Sequence, residues 1–354
     1  MLNISDHGGS FGGGISKGKR MPFEKTSGKQ PILRWVDIFG DSYDNLAWGG
    51  FYYDKEKQSA FWIFNNFGHQ WRQYKIGGHS TKFGGGVNVT PTTAAGSQSS
   101  IPSSQVARII KYNNKYFVFY TNGLSVVDAI TMKILSEHTS NNHKISNNSN
   151  LMLRGNFAYF NIASSLVRID LDNPSVTPVI IGSASGQPAV VDKNREYFYR
   201  ISNSNIVKFS MANAVIYTKS LTAGGETFYS NMRGIAFHPN GNIVVFTLLN
   251  NRPNLIVVDP ITGGVISRHN LLDVPISTLD TASSIDITQN HIILAGNTYV
   301  SALDLNFNQL WYESKQALNE HNLTVCNEYV MWTWDRYVNT SSYANLFYEL
   351  EILI

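Results

Sequence analysis

One short segment comes close to a phosphate-binding motif. Residues 13–20 read GGISKGKR, and a phosphate-binding loop combines such glycines with a lysine that reaches the phosphates. However, Arg20 stands where a serine or threonine must hold magnesium, and neither a preceding strand nor a following helix is predicted. We interpret the segment as part of a flexible, glycine-rich arm and not as a nucleotide site.

Metal-ligand residues are present but scattered. The nine histidines lie at positions 7, 69, 79, 138, 143, 238, 269, 291 and 321, and none shows the His-Glu-x-x-His spacing. Cys326 is the only cysteine, so a thiolate zinc site is not expected. DLDN (170–173) and GDSYDN (40–45) alternate oxygen ligands but lack the rest of a calcium loop. Folding could still combine distant loops into a composite site, but we predict no metal, no cofactor and no catalytic residues.

The elements that carry these residues recur along the chain. A unit of the same pattern returns every 40 to 49 residues. It consists of an apolar, aromatic-rich strand, a polar turn and a strand of alternating apolar and polar residues that ends in an acidic residue. Aligned on that last position, the copies place the following residues in register: Asp128, Asp170, Ser210, Asp259, Asp304 and Glu349. This period with four short strands predicts an all-β fold, a β-propeller. Because the aspartate repeats, we expect it to stabilise a turn in each blade.

We predict seven four-stranded blades, with six as the alternative. Residues 1–31 are assigned to a flexible Gly-rich basic arm and residues 32–354 to the propeller. The blades are placed near residues 32–76, 105–139, 149–182, 187–221, 232–271, 282–314 and 321–354. The last unit is one strand short, and part of residues 15–34 could complete it, since propellers pair their termini to remove exposed edges. Residues 77–104 are expected to form a long loop.

Two units resemble known propeller repeats. YFVFYTNGLSVVDAITMKIL resembles the YVTN type of repeat, and YVSALDLNFNQLW is similar to a blade of the PQQ-like (quinoprotein) propellers, with Trp311 at the usual docking position. The quinoprotein motif is incomplete in every blade: Asp259, Thr262 and Gly263 are followed by Ile266 in place of tryptophan. The resemblance therefore concerns the repeat and implies no bound cofactor.

The aromatic residues near the start of the propeller have two interpretations. Trp35, Trp48, Trp62 and Trp71 all fall within the first predicted blade. Their faces would suit the stacking of sugar rings, and equally the packing between blades. Both faces of the strand AFWIF are apolar, so we favour packing.

Charge is concentrated in the arm. Residues 1–34 carry six basic and two acidic residues, whereas the whole chain has a net charge of +3. The remainder is thus near −1, and we expect no specific nucleic-acid binding. No apolar run is long enough to span a membrane, so membrane insertion is not expected. The start of the chain lacks the pattern of a secretory signal.

The composition, with low charge and many Asn, Gly and aromatic residues, resembles that of bacteriophage virion proteins. This resemblance implies a non-enzymatic structural or binding propeller in a tail, collar or adaptor, located in the virion, with cytoplasmic as the alternative. Its partners would be other protein subunits and a host-surface glycan or protein, and the arm would attach it through Lys17, Lys19 and Arg20. The alternatives are a polysaccharide-active or quinoprotein-like enzyme and a cellular peptide-binding adaptor.

Overall fold

Antiparallel β-strands make up the computed structural model of the protein. The residues it describes are 25–28, 32–39, 50–65, 69–75, 87–96, 106–145, 151–162, 165–183, 189–228, 234–250, 252–271, 284–295, 299–314, 323–326, 329–334 and 343–349. These contain one 3-10 turn, Asn141–His143, and no α-helix. The all-β prediction is confirmed.

The strands are short and follow one another closely. The first fourteen are β1 Lys25–Gly28, β2 Ile32–Phe39, β3 Gly50–Asp54, β4 Ser59–Asn65, β5 His69–Lys75, β6 Val87–Asn88, β7 Val106–Tyr112, β8 Lys115–Tyr120, β9 Gly123–Asp128, β10 Ile134–His138, β11 Met152–Arg154, β12 Phe157–Ile162, β13 Ser165–Asp170 and β14 Val179–Ser183. The others are β15 Ala189–Val191, β16 Tyr197–Ser202, β17 Asn205–Ser210, β18 Val215–Ser220, β19 Gly234–Phe237, β20 Ile243–Leu249, β21 Arg252–Val258, β22 Val265–Asn270, β23 Ser284–Ile287, β24 His291–Ala295, β25 Tyr299–Asp304, β26 Gln309–Ser314, β27 Leu323–Cys326, β28 Tyr329–Trp334 and β29 Tyr343–Glu349.

Five sheets are four-stranded meanders of consecutive strands, and these are propeller blades. In chain order they are β3–β6, β7–β10, β11–β14, β15–β18 and β19–β22, called here the first to the fifth blade. The predicted count of seven or six is therefore corrected to five regular blades. Two further sheets differ because each combines C-terminal strands with a strand from the N-terminal part: β1 joins β23–β26, and β2 joins β27–β29.

The N-terminal strands are the main departure from the predicted strand order. We expected Ile32–Phe39 to open the first blade, but this strand, β2, pairs with β29 and lies at the outside of the last sheet. The closing strand was expected from residues 15–34, and only residues 32–34 of that range belong to β2. Within the predicted arm, Lys25–Gly28 pairs with β26 and is an ordered fifth strand. The fourth strand of the first blade is β6, which lies in the stretch expected to be a loop.

The hydrophobic core lies between neighbouring sheets. All seven residues of β20 are buried, and its sequence IVVFTLL is a nearly continuous apolar run without the usual alternation of apolar and polar residues. A strand with a blade on either side has two apolar faces, and this explains the continuous run. One cluster joins Phe117 and Phe119 of the second blade to Ala158 and Phe160 of the third, and the two phenylalanine rings of Phe119 and Phe160 lie 5.1 Å apart.

The first strands of several successive sheets lie next to one another. Contacts join β3 to β7, β15 to β19 and β19 to β23, as expected when each blade presents its first strand to the central axis. β27 of the last sheet contacts β3 of the first blade. The two ends of the strand series therefore meet.

Candidate functional site

The residues predicted to attach the arm to a partner are not among those that the structure describes. Lys17, Lys19 and Arg20 precede the first described strand. The candidate surfaces that follow are therefore built from the propeller, starting with the aspartate that recurs in the repeat.

The recurrent aspartate organises the turn between the third and fourth strands. Asp128 accepts hydrogen bonds from the backbone N–H of Ile130 at 2.9 Å and of Thr131 at 2.7 Å. Asp259 accepts from the N–H of Ile261 at 2.8 Å, and Asp304 from that of Asn306 at 2.8 Å. These N–H groups hold the pKa of Asp128 and Asp259 below the ordinary value. The predicted turn-stabilising role agrees with this geometry.

The carbonyl group directly after this aspartate faces the preceding blade. Lys57 of the first blade donates to the Ala129 carbonyl oxygen. Lys208 of the fourth blade donates to Pro260 O at 3.2 Å, and Nε2 of His238 in the fifth blade lies 3.0 Å from Leu305 O. The repeat in the sequence marks the aspartate but not this contact: the turn is fixed so that the carbonyl after the aspartate binds a basic side chain of the preceding blade.

Three tyrosines surround the amine of Lys208. Its Nζ lies 4.0 Å from the ring centroid of Tyr197, 5.5 Å from that of Tyr199 and 5.8 Å from that of Tyr217. The hydroxyls of Tyr199 and Tyr217 also donate to Pro260 O, at 3.3 and 3.1 Å. Burial raises the pKa of Tyr217 to about 12 and that of Tyr199 further. The phenols of Tyr199 and Tyr217 therefore stay protonated at neutral pH and can donate to the turn.

A second charged cluster lies between the first and second blades. Asp54 is 1% exposed and accepts from the Tyr116 hydroxyl and from Nζ of Lys111 at 2.9 Å. Lys111 Nζ also binds Glu56 at 2.7 Å. Burial alone would raise the pKa of Asp54, but the hydrogen bonds from Tyr116 and Lys111 outweigh it and lower the pKa. The carboxylate is thus engaged by both partners and fixes the two blades to each other.

One histidine pair and one histidine–phenylalanine pair lie at blade boundaries. The rings of His138 and His143 stack with centroids 5.0 Å apart, and His143 Nε2 lies 2.9 Å from Pro174 O of the third blade. His269 stacks at 4.2 Å on the Phe307 ring of the neighbouring sheet. Throughout the described residues, no three His, Cys, Asp or Glu side chains converge as metal ligands would. His138, His143 and His269 each contact another ring at these boundaries.

Phe61 and Trp71 of the first blade pack as favoured above, whereas the side chain of Trp62 is not among those that the structure describes. Phe61 and Trp71 are buried, and their rings contact Tyr116 of the second blade at centroid distances of 5.3 and 6.0 Å. Their faces are covered by the neighbouring blade, so they offer no platform for sugars. Trp35 now belongs to the last sheet, and Trp48 lies outside the described residues.

The outer rim of three adjacent blades carries an apolar surface. Among the described residues, nine large hydrophobic side chains are exposed, and seven belong to the third, fourth and fifth blades. They are Val176, Val179, Ile180, Val215, Ile216, Ile261 and Ile266, called here the rim patch. All seven lie on a fourth strand or on the turn before it.

Comparison with known proteins adds only a general likeness. No protein-family model matches the sequence, and no curated protein matches it. Among solved structures, the chain is similar to one described as KlHsv2 with loop 6CD replaced by a Gly-Ser linker, with 11% sequence identity and a TM-score of 0.42. That alignment covers 77% of this chain and 98% of the other. The described residues contain no helix long and apolar enough to cross a membrane.

Proposed function

We propose that the protein is a non-enzymatic structural and binding propeller that is anchored in a larger assembly, a virion tail, collar or adaptor. The rim patch carries this proposal. Fourth strands form the outside of a propeller, where side chains meet water or a partner. Isoleucine and valine at seven positions on these strands, or on the turns before them, leave apolar area that a neighbouring subunit would remove from water.

The charged groups of the boundary clusters are bound to neighbouring blades, which favours a structural role. The carboxylate of Asp54 and the amine of Lys208 are each bound to groups of a neighbouring blade. A catalytic group must instead reach a substrate. In the proposal, the boundary clusters make the disc rigid and the rim presents it to other subunits.

The arm supplies the attachment in this proposal. Lys17, Lys19 and Arg20 add positive charge to the segment that precedes β1 in the sequence, and β1 is held on the outside of a sheet. A basic segment suits an acidic neighbouring subunit. The assembled protein would reside in the virion and contact other subunits, with a host-surface glycan or protein as a further partner.

Sedimentation of material from the native source tests the proposal. The full-length chain should travel with a large particle, whereas the triple variant Lys17→Ala, Lys19→Ala, Arg20→Ala should be depleted from it. The matched control replaces Lys55, Lys193 and Lys115 by alanine, since these side chains belong to turns or strand starts of the propeller. If the full-length chain sediments alone, the virion function is wrong; if both triple variants remain in the particle, the arm is not the attachment.

A further inference from the structure

A buried tyrosine hydroxyl at the boundary between the third and fourth blades has no acceptor for its proton. Tyr159 of β12 is fully buried, and within the described residues no group accepts a hydrogen bond from its hydroxyl. The guanidinium of Arg168, which acts on this phenol, carries only donors and cannot accept the proton. A buried polar group in this state is costly until a further molecule completes its hydrogen bonding.

Three arginines surround this hydroxyl. Arg168 of β13 is directly opposite Tyr159 in the antiparallel register, so the two side chains share one face of the third blade. Burial raises the pKa of Tyr159, and the positive charges of Arg168 and Arg195 oppose that rise. Arg154 of β11 acts on the same phenol. Arg195 belongs to the β15–β16 turn of the fourth blade, yet a Cβ atom on Gly155 of the third blade would lie 3.5 Å from its Nη1.

Two of these guanidinium groups are not paired with a carboxylate. The guanidinium carbons of Arg168 and Arg195 lie 4.7 and 5.4 Å from the ring centroid of Phe157. Such stacking uses the face of a guanidinium and leaves the N–H groups at its edge available. The ion pairs formed within the described part of the chain involve neither of them. Arg154 donates to two backbone carbonyl groups, at 3.1 and 3.0 Å, and is thereby held in place.

The charge of this cluster matches a doubly charged oxyanion. The carboxylate that acts on both Arg154 and Tyr159 is that of Asp192, and its Oδ1 accepts from two backbone N–H groups of its own turn at 2.9 and 3.1 Å. Asp170 of the third blade is likewise directed to its own turn, where it binds a side-chain amide and a backbone N–H. Three guanidinium groups against the carboxylate of Asp192 leave two positive charges, and a phosphate group carries about −1.5 to −2 at pH 7.

We propose that Tyr159, Arg168 and Arg195 bind a phosphate group at this boundary, either as the free ion or as a monoester. The phenol donates its proton to one phosphate oxygen, and the guanidinium edges donate to the others. Arg154 adds a fixed positive charge. The side chain of Arg195 is exposed on its turn, so it can move aside to admit the ion and then cover it. This ligand joins the third blade to the fourth, and the site does not depend on the proposed function.

Isothermal titration calorimetry of the purified full-length protein with inorganic phosphate, at an ionic strength held constant with chloride, tests the site. The wild type should bind one phosphate per chain. Tyr159→Phe removes only the hydroxyl and should weaken binding at least about tenfold, because a hydrogen bond to a charged group is lost. Its urea unfolding midpoint without phosphate should not fall, since the hydroxyl has no acceptor within the described residues.

The matched pair of variants is Arg195→Gln and Lys193→Gln, each of which removes an exposed positive charge from the same turn. Arg195→Gln should weaken phosphate binding at least about tenfold, whereas Lys193→Gln should change it less than about twofold. A parallel titration with glycerol phosphate identifies the source of the phosphate group: tighter binding than that of inorganic phosphate indicates a monoester, and weaker binding indicates the free ion.

Four results would overturn the inference. The first is a wild type that shows no saturable binding of either phosphate compound. The second is equal weakening of binding by Arg195→Gln and Lys193→Gln, which would reflect general charge. The third is Tyr159→Phe binding phosphate as tightly as the wild type. The fourth is a lower urea midpoint for Tyr159→Phe without phosphate, which would show that the hydroxyl is already bonded within the protein.

Discussion

Lys208 and Pro260 join the fourth and fifth blades through one hydrogen bond, from the buried amine to a carbonyl oxygen 3.2 Å away. The carbonyl belongs to the turn that Asp259 organises. A buried ammonium group needs such partners, because removing it from water without them is costly. The pair explains why an acidic residue at the end of the third strand and a basic residue in the preceding blade occur together.

Removing the amine should destabilise the propeller. Lys208→Met keeps the length of the side chain and loses the hydrogen bond to Pro260, at a cost of about 1–2 kcal/mol in the free energy of unfolding. The loss is limited because Tyr199 and Tyr217 still donate to the same oxygen. Urea denaturation measures the change, with exposed Lys193→Met as the control. Equal stability of the two variants would show that the boundary contact is unimportant.

Alanine substitutions at two glycines distinguish the cost of a steric contact from the cost of backbone strain. Gly263 has φ +73° and faces the Tyr217 ring, whereas Gly241 has φ +93° with open space around it. Both alanine variants pay for a left-handed backbone, about 1–2 kcal/mol. Gly263→Ala should cost a further ~1–3 kcal/mol because its methyl group displaces the fourth blade. The midpoints of urea unfolding compare them, and similar midpoints would refute the close contact.

The buried carboxylate of Asp54 should depend on the Tyr116 hydroxyl. Tyr116→Phe leaves Asp54 with Lys111 and without one donor, which should lower the free energy of unfolding by about 1–3 kcal/mol and raise the pKa of Asp54. Tyr112→Phe is the control, since that hydroxyl makes an exposed contact of 3.4 Å with Asp172. Chemical denaturation at pH 7 should give Tyr116→Phe a clearly lower free energy of unfolding than the control. The reverse order would contradict the stabilising role of the Asp54–Tyr116 hydrogen bond.

Acid should weaken the boundary between the second and third blades. Burial lowers the pKa of His143, and burial together with the charge of His143 lowers that of His138. In the unfolded chain both imidazoles take up protons at about pH 6.5. Below about that pH the unfolded chain therefore binds more protons than the folded protein does. The free energy of unfolding declines as the pH falls, until the pH is below the pKa values of the two histidines in the folded protein.

His143→Gln isolates this effect, because the glutamine amide can still donate to Pro174 O but does not titrate. Urea unfolding at pH 7.5, 6.5 and 5.5 should show a shallower decline for the variant than for the wild type. At pH 7.5 the variant should be the less stable of the two, since it loses the ring contact with His138. An unchanged pH dependence would exclude His143 as the source.

The sequence predicted the strands of the five blades well, because strands such as β20 are marked by local hydrophobic runs. It could not assign a partner to Ile32–Phe39, since its apolar pattern is that of any propeller strand and pairing depends on distant residues. β6 was missed because two residues, Val87–Asn88, carry no recognisable pattern.

The same reasoning applies to the boundary sites. The aspartate turns were predictable because their hydrogen bonds join residues two or three positions apart. The cluster around Lys208 draws on residues from Tyr197 to Pro260, which only the stacking of two blades brings together. Contacts between units follow from the arrangement of the sheets and leave no local signal in the repeat.

The pairing of β2 with β29 has a consequence for the order of events during synthesis. Ile32–Phe39 leaves the ribosome before any blade exists, and its partner Tyr343–Glu349 is translated after all five blades. For that whole interval an apolar strand has no native neighbour, and such edges are prone to wrong pairing. Completion of the last sheet is therefore a late event of high contact order, which must occur after translation of β29.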